Sequence, residues 1–325
     1  MEQSARVTTI GNAEPLRLGI YSLGHLENLL GVSREELFSV ADTAGAKYKT
    51  FPAPEKIRPF QKKFKPPKKR PISNPHIDLK RIQKLIHKRL LKTLNLPYYL
   101  CGGVKGRTIL DNVLCHLGAL MLVTVDIKNF FPSISNLQVY QVWNKILDCS
   151  PQISGLLTRL TTFERRLPQG APTSTLLANL VLHSVDAPIR SECQRSSVTY
   201  TSWVDDLAFS GPNSTGILEV VIPTLHKSGF RISRKKIKIM GAGDRKTLTG
   251  ILLGRFPNVV RERLSQIRSG IHKIGVNQVQ PEEMNSYVGA LRSRIAQVAT
   301  IYPRRADKLR LELEELVRGK RTLSL

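Results

Sequence analysis

Cysteine is scarce and unpatterned: the 325 residues hold four, Cys101, Cys115, Cys149 and Cys193, with no C-x-x-C pair among them. That scatter argues against metal ligation by thiols and for reduced, mostly buried cysteines in a cytoplasm. Long apolar runs are missing as well. None approaches the ~18 residues that cross a bilayer, and the N-terminus lacks the charged-then-apolar layout of a signal peptide, so neither a membrane partner nor export is expected. The phosphate loop G-x-x-x-x-G-K-[ST] is absent too. The Gly-rich stretch Gly102-Gly103-Val104-Lys105-Gly106-Arg107 does not match it, which disfavours a nucleotidase of that class. The largest deficit is in acid, with 25 Asp and Glu against 50 Lys and Arg and a formal charge of +25. A hydrophobic content of 41 % still marks a folded chain, long enough for two or three subdomains.

A charge of this size calls for a polyanionic partner or a strong solubility reason. It is concentrated: Lys47 to Lys92 holds 16 Lys and Arg against two acids, Glu55 and Asp78, a balance of +14. Such a segment reads as a nucleic-acid surface, with a solvated basic face as the plainer alternative. The few acids are pointedly placed. Val198 to Gly211 alternates apolar and polar on either side of Asp205-Asp206, the pattern of two short strands with carboxylates at the turn. Acidic turn tips are usually just solvated. A second acid changes the weighing, because Leu120-Met-Leu-Val-Thr-Val-Asp126 is an apolar run delivering a carboxylate at the end of a buried strand. Three clustered carboxylates need cations. Hard oxygen ligands suit Mg²⁺, and two such ions roughly 3.5–4 Å apart can clamp the attacking and leaving oxygens of phosphoryl transfer. On a basic chain that chemistry suggests nucleic-acid synthesis.

In chain order, residues 1 to about 20 form a loose lead-in. Leu23 to Leu30 predicts a helix stopped by Gly31, and Ser33 with Glu36 a capping box for a helix over 34–44. Glu35, Glu36 and Asp42 suit that helix to packing rather than to DNA phosphates. Seven prolines between Pro52 and Pro75 predict extended or hairpin segments. Leu79 to Leu94 follows as an amphipathic helix. Asn112 and His116 stand one helical turn apart, where a histidine is more often structural than catalytic. Ser135 with Gln138 caps another helix. Leu167 to Pro172 turns into a helix from Thr173 to Arg190, whose small first residues allow close approach of a substrate. Ile217–Ser228 predicts a helix, Arg231–Met240 a basic strand or loop, Leu248–Gly254 a strand, and the remainder helices, with Pro281 at one helix start.

Taken together the motifs resemble a reverse transcriptase of the retron type, closely over residues 47–254. Val125-Asp126-Ile127 with Phe130-Phe131-Pro132 resembles the first palm motif. Leu167-Pro168-Gln169-Gly170-Ala171-Pro172 is similar to the template- and nucleotide-contacting motif. Trp203-Val204-Asp205-Asp206 stands where the family has Tyr-x-Asp-Asp. Asn112-Val113-Leu114-Cys115-His116 and Leu248-Thr249-Gly250 resemble two retron signatures, each with one conservative change. The resemblance implies an α+β, right-hand polymerase-like fold: a helical lead-in (1–46), basic fingers (47–120), a palm with an antiparallel sheet (121–254) and a helical, RNA-binding thumb (255–325).

It also implies roles. Asp126, Asp205 and Asp206 would hold two Mg²⁺ ions (Mn²⁺ being an alternative), with Asp206 the least direct ligand. Lys236, or Lys235, would donate a proton to the leaving pyrophosphate. Lys69 or Lys68 with Arg70 would contact the dNTP triphosphate, Phe131 would act as steric gate, and Gln169 and Gly170 would line nucleotide and template. The Leu248–Gly254 strand would grip the primer end. Asn112, His116, Arg292, Arg294, Arg304 and Arg305 would bind RNA, the arginines being equally readable as solubilising. Trp203 would alter rate or fidelity rather than abolish activity. The implied activity is RNA-directed DNA synthesis in a bacterial cytoplasm on a dedicated structured noncoding RNA. Its product would be a branched RNA–DNA hybrid used in antiphage defence with an effector protein. The rivals are a free-standing defence-associated reverse transcriptase, and a non-catalytic RNA-binding protein on the same fold.

Overall fold

The computed structural model describes residues 16–52, 71–259 and 261–322. The chain opens with α1 (Leu23–Leu30) and α2 (Arg34–Thr43), then strands β1 (Tyr48–Pro52) and β2 (Pro71–Pro75). Helices α3 (Ile77–Arg89) and α4 (Ile109–Leu114) precede β3 (Leu122–Lys128). Helices α5 (Phe130–Ser133), α6 (Asn136–Gln141), α7 (Pro151–Thr161), α8 (Ser174–Val185) and α9 (Ala187–Arg195) lead to the hairpin β4 (Thr199–Trp203) and β5 (Asp206–Ser210). After α10 (Leu218–Lys227) come β6 (Arg231–Ile232), β7 (Lys238–Met240), β8 (Thr247–Leu248), β9 (Ile251–Leu253) and β10 (Pro257–Val259). Three helices end the chain, α11 (Arg261–Gly275), α12 (Pro281–Ala299) and α13 (Pro303–Thr322).

The described residues divide into two compact units: 16–52 with 71–107 and 119–242, and 108–118 with 243–259 and 261–322. In the first, β3 is the centre of a five-stranded antiparallel sheet, flanked by β5 on one side and by β6 and β7 on the other, with β4 outside β5. Val123, Val125 and Ile127 are buried, as expected of an apolar run in a central strand. They join one core running from Ile20 to Phe230 that takes in Trp143, Phe209 and the buried face of α8. Each fully buried side chain of this kind is worth ~1.5–3 kcal/mol, which fixes the strand against slippage. The expected caps form in part: Ser135 and Gln138 make a reciprocal box, and Ser33 accepts from the Glu36 nitrogen.

Several expected elements differ in detail. The helix predicted over 173–190 breaks at Asp186, which is fully buried and accepts hydrogen bonds from Tyr99, Tyr200 and Arg190; Pro188 then starts α9. The helix expected over 79–94 runs from Ile77 to Arg89 and finishes as a 3₁₀ turn, Leu91–Thr93. Arg231–Met240 is two strands around a 3₁₀ turn, Arg234–Lys236. The strand expected over 248–254 is instead a hairpin, because Thr249 and Gly250 take left-handed backbone angles (φ 49° and 83°) and fold β9 back on β8.

The second unit has its own core, in which Ile267, Ile271 and Ile274 of α11 meet Val288, Leu291, Ile295 and Val298 of α12 and Ala306 and Leu313 of α13. The antiparallel sheet β10–β9–β8 belongs to it, and α4 packs near β10. Among the described residues no helix is long and apolar enough to cross a membrane.

Candidate active site

Strand register gathers the carboxylates. Asp126 on β3 lies directly opposite Asp206 on β5, and Asp206 in turn opposite Trp203 on β4. Opposed residues of an antiparallel pair share a face, so Trp203, Asp206 and Asp126 form a row across three strands. Asp205 sits in the intervening turn, its carbonyl accepting from the Ile127 nitrogen at 2.9 Å. Two like charges directly across a sheet repel and call for a cation. Lys236 supplies one. Its Nζ donates to Asp126 Oδ2 at 2.6 Å, the lysine being half exposed and the aspartate 14 % exposed. The Ser233 nitrogen donates to the Asp126 carbonyl at 2.9 Å, which anchors the turn carrying Lys236.

Among the described residues no three His, Cys, Asp or Glu side chains are gathered into a ready metal cage. The donors nonetheless fit a hard divalent ion that keeps water and substrate phosphates in its shell. They are carboxylates only, one of them is exposed, and one already carries a cation.

The turn between the carboxylate strands is braced from behind. Val204 holds φ 61°, an unfavourable angle for a β-branched residue. Against it lies the Gly-rich loop: a Cβ on Gly102 would stand 2.6 Å from the Val204 nitrogen. The loop pairs with β4 through Ser202 N to Tyr99 O at 2.7 Å and Cys101 N to Ser202 O at 2.8 Å. Buried Asn179 on α8 donates to the Gly102 carbonyl at 2.8 Å. This brace of Gly102 and Asn179 escaped the sequence reading, which saw only glycines and two cations.

Gln169 and Gly170 adjoin β2. The Ser73 nitrogen donates to the Gln169 carbonyl at 2.9 Å, and Gly170 (φ 118°) presses on Ile72 and Ser73. Phe131 lies in α5, just past the end of β3, and is half-buried beside Phe130. Lys68, Lys69 and Arg70 lie outside the described residues.

A family model described as reverse transcriptase (RNA-dependent DNA polymerase) matches residues 61–278, which take in all three carboxylates. The chain belongs to the reverse transcriptase family. It is of the retron type, and its activity is that of an RNA-directed DNA polymerase on an α+β fold with antiparallel sheets. The Retron Se72 reverse transcriptase of Salmonella heidelberg is 26 % identical over 92 % of this chain and 80 % of its own length. The Retron Ec86 enzyme of Escherichia coli is 28 % identical over 79 % of this chain and 80 % of its own. The Retron Mx162 enzyme of Myxococcus xanthus is 29 % identical over 63 % of this chain and 50 % of its own. A structure of apo telomerase from Candida Tropicalis, truncated from its C-terminal domain, covers 56 % of this chain and 45 % of its own at 11 % identity and a TM-score of 0.41, too slight a likeness to carry an argument.

In the second unit of this reverse transcriptase, Asn112 and His116 are buried, each 1 % exposed. His116 lies past the end of α4 rather than one turn along it, and burial pushes its imidazole down to about 4. Both polar atoms of the Asn112 amide are buried with no partner among the described residues, a state that costs about 1–3 kcal/mol. Arg292 is held by Glu314 in a bidentate pair at 2.7 Å. Arg304 and Arg305 are exposed and Arg294 is half-buried. Arg263, which the sequence reading passed over, packs its guanidinium on Gly250. Burial, with Arg294 beside it, lowers its pKa, and no carboxylate pairs with it among the described residues. Only the fold could bring Arg263 to that hairpin.

Proposed function

We propose that this reverse transcriptase copies a dedicated structured noncoding RNA into a branched RNA–DNA hybrid, using Mg²⁺ held by Asp126, Asp205 and Asp206, and that it does so in antiphage defence alongside an effector protein. The observation that carries the reading is the register of β3 on β5, which sets Asp126 against Asp206 on one face with Lys236 on Asp126. Asp126, Asp205 and Asp206 would hold the Mg²⁺, which would supply positive charge to neutralise the triphosphate during phosphoryl transfer.

The chain's own residues do the rest. Lys236 carries protons at the rim of the row and gives one to the leaving pyrophosphate oxygen, with Lys235 as the other candidate. Lys69 and Arg70 contact the triphosphate, and Gln169, whose carbonyl accepts from the Ser73 nitrogen, lines nucleotide and template. Phe131 closes the space where a ribose 2′-OH would sit. Arg294, Arg304 and Arg305, with Arg263, bind RNA phosphates, while Arg292 is committed to Glu314. Asn112 and His116 contribute to RNA recognition through a partner that satisfies the Asn112 amide.

The test is to isolate the protein from its native host and sequence the nucleic acid bound to it, with and without RNase and a debranching enzyme. One defined DNA joined to one structured RNA through a debranchable bond is expected. Heterogeneous DNA without a branch would contradict the retron product while leaving the polymerase, and RNA with no DNA would contradict both.

A further inference from the structure

Beside the Gly102–Arg107 loop lies a cavity of 460 Å³ in the first unit, none of whose lining residues belongs to β3, β4 or β5. That volume is within the ~300–1,000 Å³ of small-ligand sites. Its lining includes the basic residues Lys92, Lys105, Arg107 and His87, and no carboxylate among the described residues. Arg107 is committed, donating to the carbonyls of Leu96, Pro97 and Leu100 (2.6 Å for the last) and so fixing the loop that walls the cavity. Burial, with Lys92 nearby, holds His87 below the ordinary imidazole range, so it acts near neutral pH as a hydrogen-bonding group rather than a charge. Lys92 and Lys105 are exposed and have no acidic partner among the described residues. The same lining includes the buried apolar side chains Leu91, Leu96 and Leu176.

Uncompensated ammonium groups exclude a metal ion and leave a neutral apolar ligand without a reason for the charge. An apolar wall gives a bare inorganic anion nothing to touch. A phosphate carrying a flat, largely apolar body satisfies both kinds of lining residue. We propose that this cavity is a nucleotide-binding site separate from the carboxylate row, with the phosphate at Lys92 and Lys105 and the base against Leu91, Leu96 and Leu176. The nucleotide is either one unit of a bound strand or a free mononucleotide. Occupancy bears on the active site through the loop itself, since Gly102 abuts Val204, Gly103 abuts Thr175 at the start of α8, and Asn179 holds the Gly102 carbonyl.

The inference rests on the proposed handling of nucleic acid but not on metal chemistry, so its test is run in EDTA. AMP binding is followed by calorimetry, and binding of a short single-stranded RNA by fluorescence anisotropy across a salt series. The variants are the pair Lys92→Ala/Lys105→Ala and the cavity-filling Val104→Phe. The lysine pair is expected to lose at least tenfold in RNA affinity and to reduce the salt slope by about one to two. Val104→Phe is expected to lose affinity with the slope kept. AMP binding by the wild type that both variants lose assigns the site to a free nucleotide, and loss with RNA alone assigns it to a strand. Wild-type affinity for both probes in the lysine pair overturns the proposal, whether or not Val104→Phe folds. Wild-type extension of a DNA primer on RNA, measured on the same preparations, keeps the two readings apart. Absent extension with the predicted binding losses sinks the polymerase mechanism alone, and normal extension with unchanged binding sinks the cavity site alone.

Discussion

Val204 at φ 61° costs of the order of 1–3 kcal/mol, and such strain persists only where neighbours impose it. Here the neighbours are Gly102, whose missing side chain lets the loop reach the turn, and Asn179, which fixes the loop's carbonyl. Replacing Gly102 with Ala sets a methyl 2.6 Å from the Val204 backbone nitrogen, which cannot yield as a flexible side chain would. The hairpin must shift instead, and a displacement near 1 Å at a reacting centre costs on the order of a hundredfold. Gly102→Ala is therefore expected to cut primer extension by at least tenfold while lowering the melting midpoint only modestly, measured by single-turnover extension and calorimetry. Unchanged extension would remove the brace from the account. At this scale the sequence announces Asp126, Asp205 and Asp206, because an apolar run ending in Asp and an alternating stretch around Asp-Asp are local patterns. The Lys236–Asp126 contact spans 110 residues and the Gly102–Val204 contact about as many; no local pattern carries either.

The elements behind the sheet turn on Asp186, at the break between α8 and α9. Tyr99 donates to its Oδ1 at 3.1 Å, Tyr200 to its Oδ2 at 3.2 Å and Arg190 to its Oδ1 at 2.7 Å, while Tyr99 also meets His183 Nδ1 at 2.7 Å. The rings of Tyr99, Tyr200 and Phe209 stack in sequence, tying this network to β4 and β5. Burial pushes Asp186 up to about 6, against the pull of Arg190 and the two hydroxyls. An acid raised above its unfolded value gives stability that is full below that unfolded value and is lost as pH rises through about 6. Asp186→Asn mimics the protonated acid and titrates nothing. The stability difference, wild type minus Asp186→Asn, should thus fall between about pH 4 and pH 6 by on the order of 2–3 kcal/mol and be flat above. Denaturant unfolding across that range checks it, and a difference that rises with pH would reverse the assignment. The sequence reads as one helix over 173–190, through α8 and into α9; the break comes from tertiary bonds to Asp186. It likewise shows one strand over 248–254 where two left-handed residues make a hairpin, since Thr at such an angle is rare enough to go unexpected.

Over the whole molecule, a charge of +25 with a folded core separates this chain from the disordered class, and three ordered motifs point to the polymerase fold. Charge and motif order are properties of the string, so they are legible without coordinates. Which arginines are open to a phosphate is not. Arg292 and Arg294 stand two positions apart, yet one is locked to Glu314 and the other lies beside Arg263. The proposed reaction sets the extension of a DNA strand on RNA at the row Asp126–Asp206. The most direct measurement is single-turnover incorporation of one dNTP on a DNA primer annealed to an RNA template, by the wild type, Asp126→Asn and Asp206→Asn, with hybrid affinity and melting followed in parallel. Extension by the wild type and a loss of about a thousandfold or more in both variants are expected, with affinity and melting held. Extension by either variant within a few-fold of wild type, or its absence from the folded, hybrid-bound wild type, would contradict that placement.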